Sequence, residues 1–197
     1  DDEDAKYQYK RVLGFYYMIL MITCIFVTMW GKEIIALMSN SAYGAAYLLL
    51  PGLLFGQVMY GVSVIVGYGL SFEKKTNYIF AANVIGAVLN IVLNFAFIPS
   101  FGVEAAAYTT YVGYFVMAIL LYVFAQKFYP CDYAISKVII SNVIIIALAT
   151  FMNHYEMALG IRTLLTAASL ALIFILYRDA IKDIFMILVR VKRKIRG

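Results

Sequence analysis

The chain has 197 residues, of which 64% are hydrophobic and only 14% charged, with a mean hydropathy of +0.88 and a formal net charge of +5. A water-soluble domain of this length cannot hide that much apolar surface, so a soluble fold is excluded. A helix needs about 20 mainly apolar residues to cross roughly 30 Å of hydrocarbon, and the sequence offers six such stretches. The expected fold class is all-α: a polytopic membrane protein with six transmembrane helices over residues 1–177, followed by a basic amphipathic tail over 178–197.

The chain opens on Asp1-Asp2-Glu3-Asp4 rather than Met. An acidic start leading into a basic flank reads as an internal loop, so the expectation is the C-terminal part of a longer protein. Span one covers about 12–30, flanked by Lys10 and Arg11, with Tyr16, Tyr17 and Trp30 placed as aromatic interface anchors and Gly31-Lys32-Glu33 as its end. Span two, about 42–71, is interrupted by Pro51-Gly52; Gly52 and Gly56 form a GxxxG pair. Pro51, Gly52 and Gly56 are hinge candidates, because a proline within a membrane helix kinks it where neighbours re-satisfy the freed carbonyl. Close helix packing is the plainer reading of the same glycines.

Spans three and four, about 77–98 and 103–125, form a hairpin around Pro99 and Gly102. Asn83, Gly86, Asn90 and Asn94 follow at intervals of three, four and four, which aligns them on one helix face. Ala105, Ala106, Ala107, Thr109 and Thr110 give the second helix a small-residue surface. Spans five and six cover about 138–152 and 161–177. In the tail, Ile181, Ile184, Phe185 and Leu188 share a helical face, and the basic run at 190–196 suits anionic lipid head groups better than nucleic acid.

Charge sorts the loops. One side collects Lys6, Lys10, Arg11, Lys74, Lys75, Lys127, Lys137 and every basic residue from Arg178 on, while the other holds Lys32 and Arg162. The bias of Lys and Arg toward the cytoplasm puts the rich side, and with it both chain ends, in the cytoplasm, with the expected location the cytoplasmic (inner) membrane.

Nothing in the sequence carries catalysis. His154 is the one histidine and sits in a loop beside Tyr155 and Glu156, and no nucleophile–His–acid arrangement, phosphate loop or metal cluster accompanies it. Cys24 and Cys131 are placed too differently to form a bridge. No enzyme activity, cofactor or metal is implied. The polar residues inside spans are Gln57, Asn83, Asn90, Asn94 and Asn142, and no Asp, Glu, Lys or Arg occupies a span centre. A carboxamide facing lipid leaves donors and acceptors unpaired. These groups therefore bond between helices or line a pathway for a hydroxyl-rich substrate, with Gln57, Asn83, Asn90 and Asn94 as the pathway candidates. Glu33, Glu104 and Glu156 fall in three different loops and read as solvated; Glu104 is also a candidate for ion or proton coupling.

Asn90-Ile-Val-Leu-Asn94, Ile98-Pro99, Gly102, Ala105-Ala106-Ala107 and Thr109-Thr110 resemble the "N..LN..liP..G..GAA.at" hairpin of polysaccharide flippases. These are members of the multidrug/oligosaccharidyl-lipid/polysaccharide exporter superfamily. Asn40-Ser41-Ala42-Tyr43 with Ala46, and Glu73-Lys74-Lys75-Thr76, also sit where that family has a helix entry and a "kkt" loop. Glu104-Ala105 departs from the usual Gly-Ala. The resemblance covers about Tyr9 to Gln126 and implies most of the second of two helix bundles in a MATE-like flippase. It further implies movement of a polyprenyl-diphosphate-linked oligosaccharide between leaflets by alternating access. The cationic residues expected to attract the diphosphate would come from the absent first bundle. The alternatives are a multidrug or cation exporter of the same superfamily, a non-transporting scaffold, or a fragment of a polytopic glycosyltransferase.

Overall fold

The computed structural model describes residues 2–38, 46–154 and 158–183. These form six helices: α1 (Asp2–Met38), α2 (Leu50–Phe72), α3 (Thr76–Phe101), α4 (Val103–Phe128), α5 (Ile135–His154) and α6 (Leu159–Leu176). No strand occurs among the described residues. Five helical segments are long and apolar enough to cross a membrane, whereas the apolar part of α5, Ile135–Phe151, is shorter. The expected count of six is therefore approximate. The helix entry at Asn40–Tyr43, the Tyr155–Glu156 loop and the basic run at 190–196 lie outside the described residues.

In α1 the buried residues Leu13, Tyr17, Met18, Met21, Cys24, Ile25 and Met29 recur at helical spacing. They meet Phe55, Val58, Met59, Val62 and Val66 of α2 in one core. α4 packs most extensively on α2 and next on α3, while α2 and α3 scarcely meet; α5 and α6 both lean on α1. Two groups result, α2–α3–α4 and α1–α5–α6, joined along α1 and α2. α3 buries only Ala82 and Gly86 and leaves Phe80, Val88, Val92 and Phe95 outward, a surface suited to hydrocarbon.

Several sequence expectations are corrected. α1 does not stop at Gly31; it runs unbroken for 37 residues, about 55 Å at 1.5 Å per residue. Tyr17 is not an interface anchor. It is fully buried, donates to the Val138 carbonyl at 3.2 Å and stacks on Tyr177. Pro51 begins α2 rather than kinking it, because the first helical turn needs no donor from that nitrogen. Pro99 is absorbed into the last turn of α3, so the α3–α4 turn is Gly102 alone, at φ +70°. That left-handed conformation suits glycine. Glu33, read as a solvated loop residue, is half-exposed and also pairs with Arg162, whose guanidinium lies 4.3 Å from the Trp30 ring centroid.

Three glycines of α2, Gly52, Gly61 and Gly69, have neighbours too close for a Cβ. A Cβ at Gly52 would lie 2.9 Å from the Ala107 Cβ and 3.0 Å from its carbonyl carbon. Gly61 faces Tyr16, whose hydroxyl donates to the Gln57 carbonyl at 3.1 Å, and Gly69 faces Tyr129. At the α3–α4 crossing, a Cβ at Gly86 would lie 3.0 Å from the Gly113 carbonyl oxygen.

Two arginine–carboxylate pairs tie α1 to the chain around α6, one toward each end. Arg11 Nε donates to Asp183 at 3.0 Å, and Glu33 holds Arg162. Arg11 and Glu33 lie 22 residues apart on α1, about 33 Å along the axis, close to the hydrocarbon thickness. The Arg11 end also gathers Lys10 with Asp132, Lys137 with Asp179, and Lys75 and Lys127 over Phe128. Of the basic residues assigned to one side of the membrane, Lys10, Arg11, Lys75, Lys127 and Lys137 thus meet at one end of the bundle.

Candidate functional site

Because α4 lies between α2 and α3 while those two scarcely touch, a cleft opens between them with α4 as its floor. It contains two adjoining cavities of about 280 Å³ each. The deeper one is lined by Tyr60, Asn83, Gly86, Ala87, Asn90, Thr110, Gly113, Tyr114 and Met117. The second is lined by Tyr60, Ser63, Val64, Gly67, Tyr68, Ser71, Ile79, Asn83 and Leu121. Tyr60 and Asn83 belong to both. The polar groups are amides, hydroxyls and phenols; no lining residue is ionisable near neutral pH. Such walls offer hydrogen bonds without the desolvation cost of a buried charge.

The predicted pathway residues separate. Asn83 is exposed to the cleft and donates to the Ile79 carbonyl at 2.7 Å, which leaves its Oδ1 facing no donor among the described residues. Asn90 lines the deeper cavity and donates to Thr110 Oγ1 at 3.3 Å. Asn94 lies behind it: its amide donates to Asn90 Oδ1 at 3.2 Å, and its own Oδ1 accepts from Thr109. The interhelical bonding weighed for these residues is therefore present at Asn90 and Asn94. Gln57 lies outside the cleft lining, exposed on α2, and Asn142 is buried in the α1–α5 seam, where it donates to Tyr17 and to the Val138 carbonyl. Glu104 is exposed in the first turn of α4 and touches neither cavity.

Sequence reasoning missed Tyr60, Tyr68 and Tyr114. Their placement depends on which face of α2 meets α4; their spacing from Ser63, Gly67 and Ser71 was the one available signal.

A separate cavity of about 300 Å³ at the basic end lies among α1, α5 and residues 177–183, and includes Lys10, Arg11, Lys137, Asp179 and Asp183. Its cations are already matched, Arg11 by Asp183, Lys137 by Asp179 and Lys10 by Asp132. The hydrogen bond from Lys137 holds the Asp179 carboxyl below the usual carboxylate range. In the adjoining loop, burial pushes the Cys131 thiol and the Tyr133 phenol up. Cys24 and Cys131 are free thiols. Among the described residues no group of three or more His, Cys, Asp or Glu could hold a metal.

A multi-pass helical membrane protein with an uncharged polar cleft is the class these features define. Residues 1–96 match the sequence model of the MatE family. A relative described as "Probable low-salt glycan biosynthesis flippase Agl15", from Haloferax volcanii, is 26% identical over 149 residues, covering 75% of this chain and 32% of that protein. No solved structure matches the chain. Over these stretches the chain is similar to the MatE family and to that relative, in agreement with the resemblance carried by the hairpin motif. It spans about a third of the length of the curated relative it matches.

Proposed function

We propose that the chain is part of a transporter that flips a polyprenyl-diphosphate-linked oligosaccharide across the cell membrane for export of surface polysaccharide. The observation that carries this reading is the cleft lining: carboxamides, hydroxyls and phenols suit a sugar, which is rich in hydroxyls and uncharged. The outward apolar face of α3 offers a wall for the lipid chain, and the match to a glycan-biosynthesis flippase supports the same substrate class. The paired cations at the basic end offer no uncompensated charge for a diphosphate, so its partners belong to a further helix bundle. A cation exporter finds no acid in this cleft.

The test uses the native full-length polypeptide in proteoliposomes with lipid-linked oligosaccharide extracted from its own cells. Asn83→Ala and Asn90→Ala, expressed at normal levels, are each expected to slow flipping about tenfold, the loss of one or two hydrogen bonds to substrate. A scaffold would lose stability only, and a glycosyltransferase would form product without movement between leaflets. Glu104→Gln addresses coupling separately: if the response to an ion gradient persists in that variant, Glu104 is not the coupling group.

The orientation follows from the same charge sorting and has its own check. In a background carrying Cys24→Ala and Cys131→Ala, Lys74→Cys is expected to react with an impermeant maleimide only from the cytoplasmic side, and Glu104→Cys only from outside. Labelling of both from one side would refute the arrangement.

A further inference from the structure

The cleft is as aromatic as it is polar, and its aromatic residues are arranged rather than scattered. Tyr60 and Tyr114 both line the deeper cavity, with ring centroids 5.3 Å apart and planes inclined at 52°. The two inclined rings thus border one cavity together. Tyr114 lies against Gly56 of α2, where a Cβ would be in ordinary contact with its Cδ2 at 3.5 Å. Tyr60 is 45% exposed, and neither phenol makes a hydrogen bond among the described residues. A tyrosine held by packing, with its hydroxyl unclaimed, presents an apolar face together with a donor and acceptor. Asn83 and Asn90 border the same cavity with amide groups. Further along α2, Tyr68 is 52% exposed, lines the second cavity and stacks on Tyr9 at 6.1 Å. Tyr60 and Tyr68 lie eight residues apart on one helix face, about 12 Å, a span longer than one sugar ring.

From this juxtaposition we infer that Tyr60 and Tyr114, with Asn83 and Asn90 beside them, form a pyranose-binding subsite, and that Tyr68 continues it for a second sugar. A pyranose has a face of C–H groups and a rim of hydroxyls. The C–H face stacks on the electron-rich face of a tyrosine ring, while the rim hydroxyls exchange hydrogen bonds with the amides, each of which can donate and accept. These walls hold no charged side chain to neutralise an ion or a diphosphate. The inference rests on the flippase reading and makes it specific: it names the tyrosine rings as the groups that select a sugar within the pathway.

Flipping of lipid-linked oligosaccharide by the full-length protein in proteoliposomes tests it, together with saturation-transfer NMR on the glycan released from that lipid. In the NMR measurement, saturation of the protein's aromatic protons is expected to reach the ring C–H protons of the glycan and to weaken in Tyr60→Leu and Tyr114→Leu. The leucine variants are expected to lose about tenfold in flipping rate, with melting temperature unchanged, and the corresponding phenylalanine variants to lose clearly less. Leucine variants that flip at the wild-type rate, or phenylalanine variants that lose as much as leucine, would overturn the subsite and leave the flippase standing. Absence of transfer to the sugar ring protons in the wild-type protein would also overturn it, even if no leucine variant folds. A wild-type protein that moves no sugar-lipid would bring down the flippase reading and the subsite with it.

Discussion

Gly52→Leu is expected to prevent the protein from accumulating as a folded monodisperse species, and Gly52→Ala to lower its melting temperature measurably. The reason is the neighbour. A Cβ at this position would approach the Ala107 Cβ at 2.9 Å, its carbonyl carbon at 3.0 Å and the Tyr108 nitrogen at 3.2 Å. These are largely backbone atoms of α4, on the most extensive helix contact in the molecule, and they cannot rotate away as a side chain could. Overpacking of this kind costs about 1–3 kcal/mol for small additions and more for large ones, which exceeds the gain of roughly 1 kcal/mol from replacing a helical glycine by alanine. Gly67→Ala is the control on the same helix. Its nearest neighbour would be Leu121 Cδ1 at 4.0 Å, so there the helix preference prevails and stability should hold or rise. If Gly52→Ala melts like the wild type but loses transport, Gly52 acts as a hinge and the packing account is wrong.

The second large effect concerns the pair that joins α1 to α6. The Arg162 side chain is 14% exposed and Glu33 46%. Glu33→Ala leaves a nearly buried guanidinium with only the face of Trp30 opposite it, and Arg162 Nε already has no partner among the described residues. Arg162→Met leaves a carboxylate that water can reach and places a thioether against the indole. Glu33→Ala should therefore be the costlier change, at about 1–3 kcal/mol, reduced from the value for a fully buried pair because Glu33 is half in water. Thermal unfolding of both single variants and the double variant measures the coupling. A larger loss for Arg162→Met would show that the guanidinium acts chiefly by packing on Trp30.

The hairpin was legible because its signals are local. The Asn90–Asn94 spacing fixes one helix face, and the small residues after Gly102 specify a close crossing. Helix ends were less legible, for a physical reason. Hydropathy reports where hydrocarbon lies, and a helix need not stop there: α1 continues through Gly31 to Met38 because nothing between them breaks it. Pro51 misled because the same residue kinks a helix interior and starts a helix equally well. The cleft tyrosines were hidden among the chain's 17 tyrosines, since an aromatic residue in a membrane span reads alike as anchor, packing or binding surface. Only the meeting of α2 with α4 separates these roles. The charge sorting put Glu33 and Arg162 at one membrane surface, but only tertiary structure makes them partners.

The seam between the two helix groups has an uncommon composition. Met18, Met21 and Met29 of α1 and Met59 of α2 are buried in one core with few branched side chains from α1 beside them. A methionine chain has three rotatable bonds and a polarisable sulfur, so it refills a gap by turning rather than by moving its backbone. Interlocked β-branched residues would hold two helices in one register; flexible thioethers let one register give way to the next at little cost in voids. The α1 side of the join can thereby accommodate small displacements of α2 by turning its own side chains.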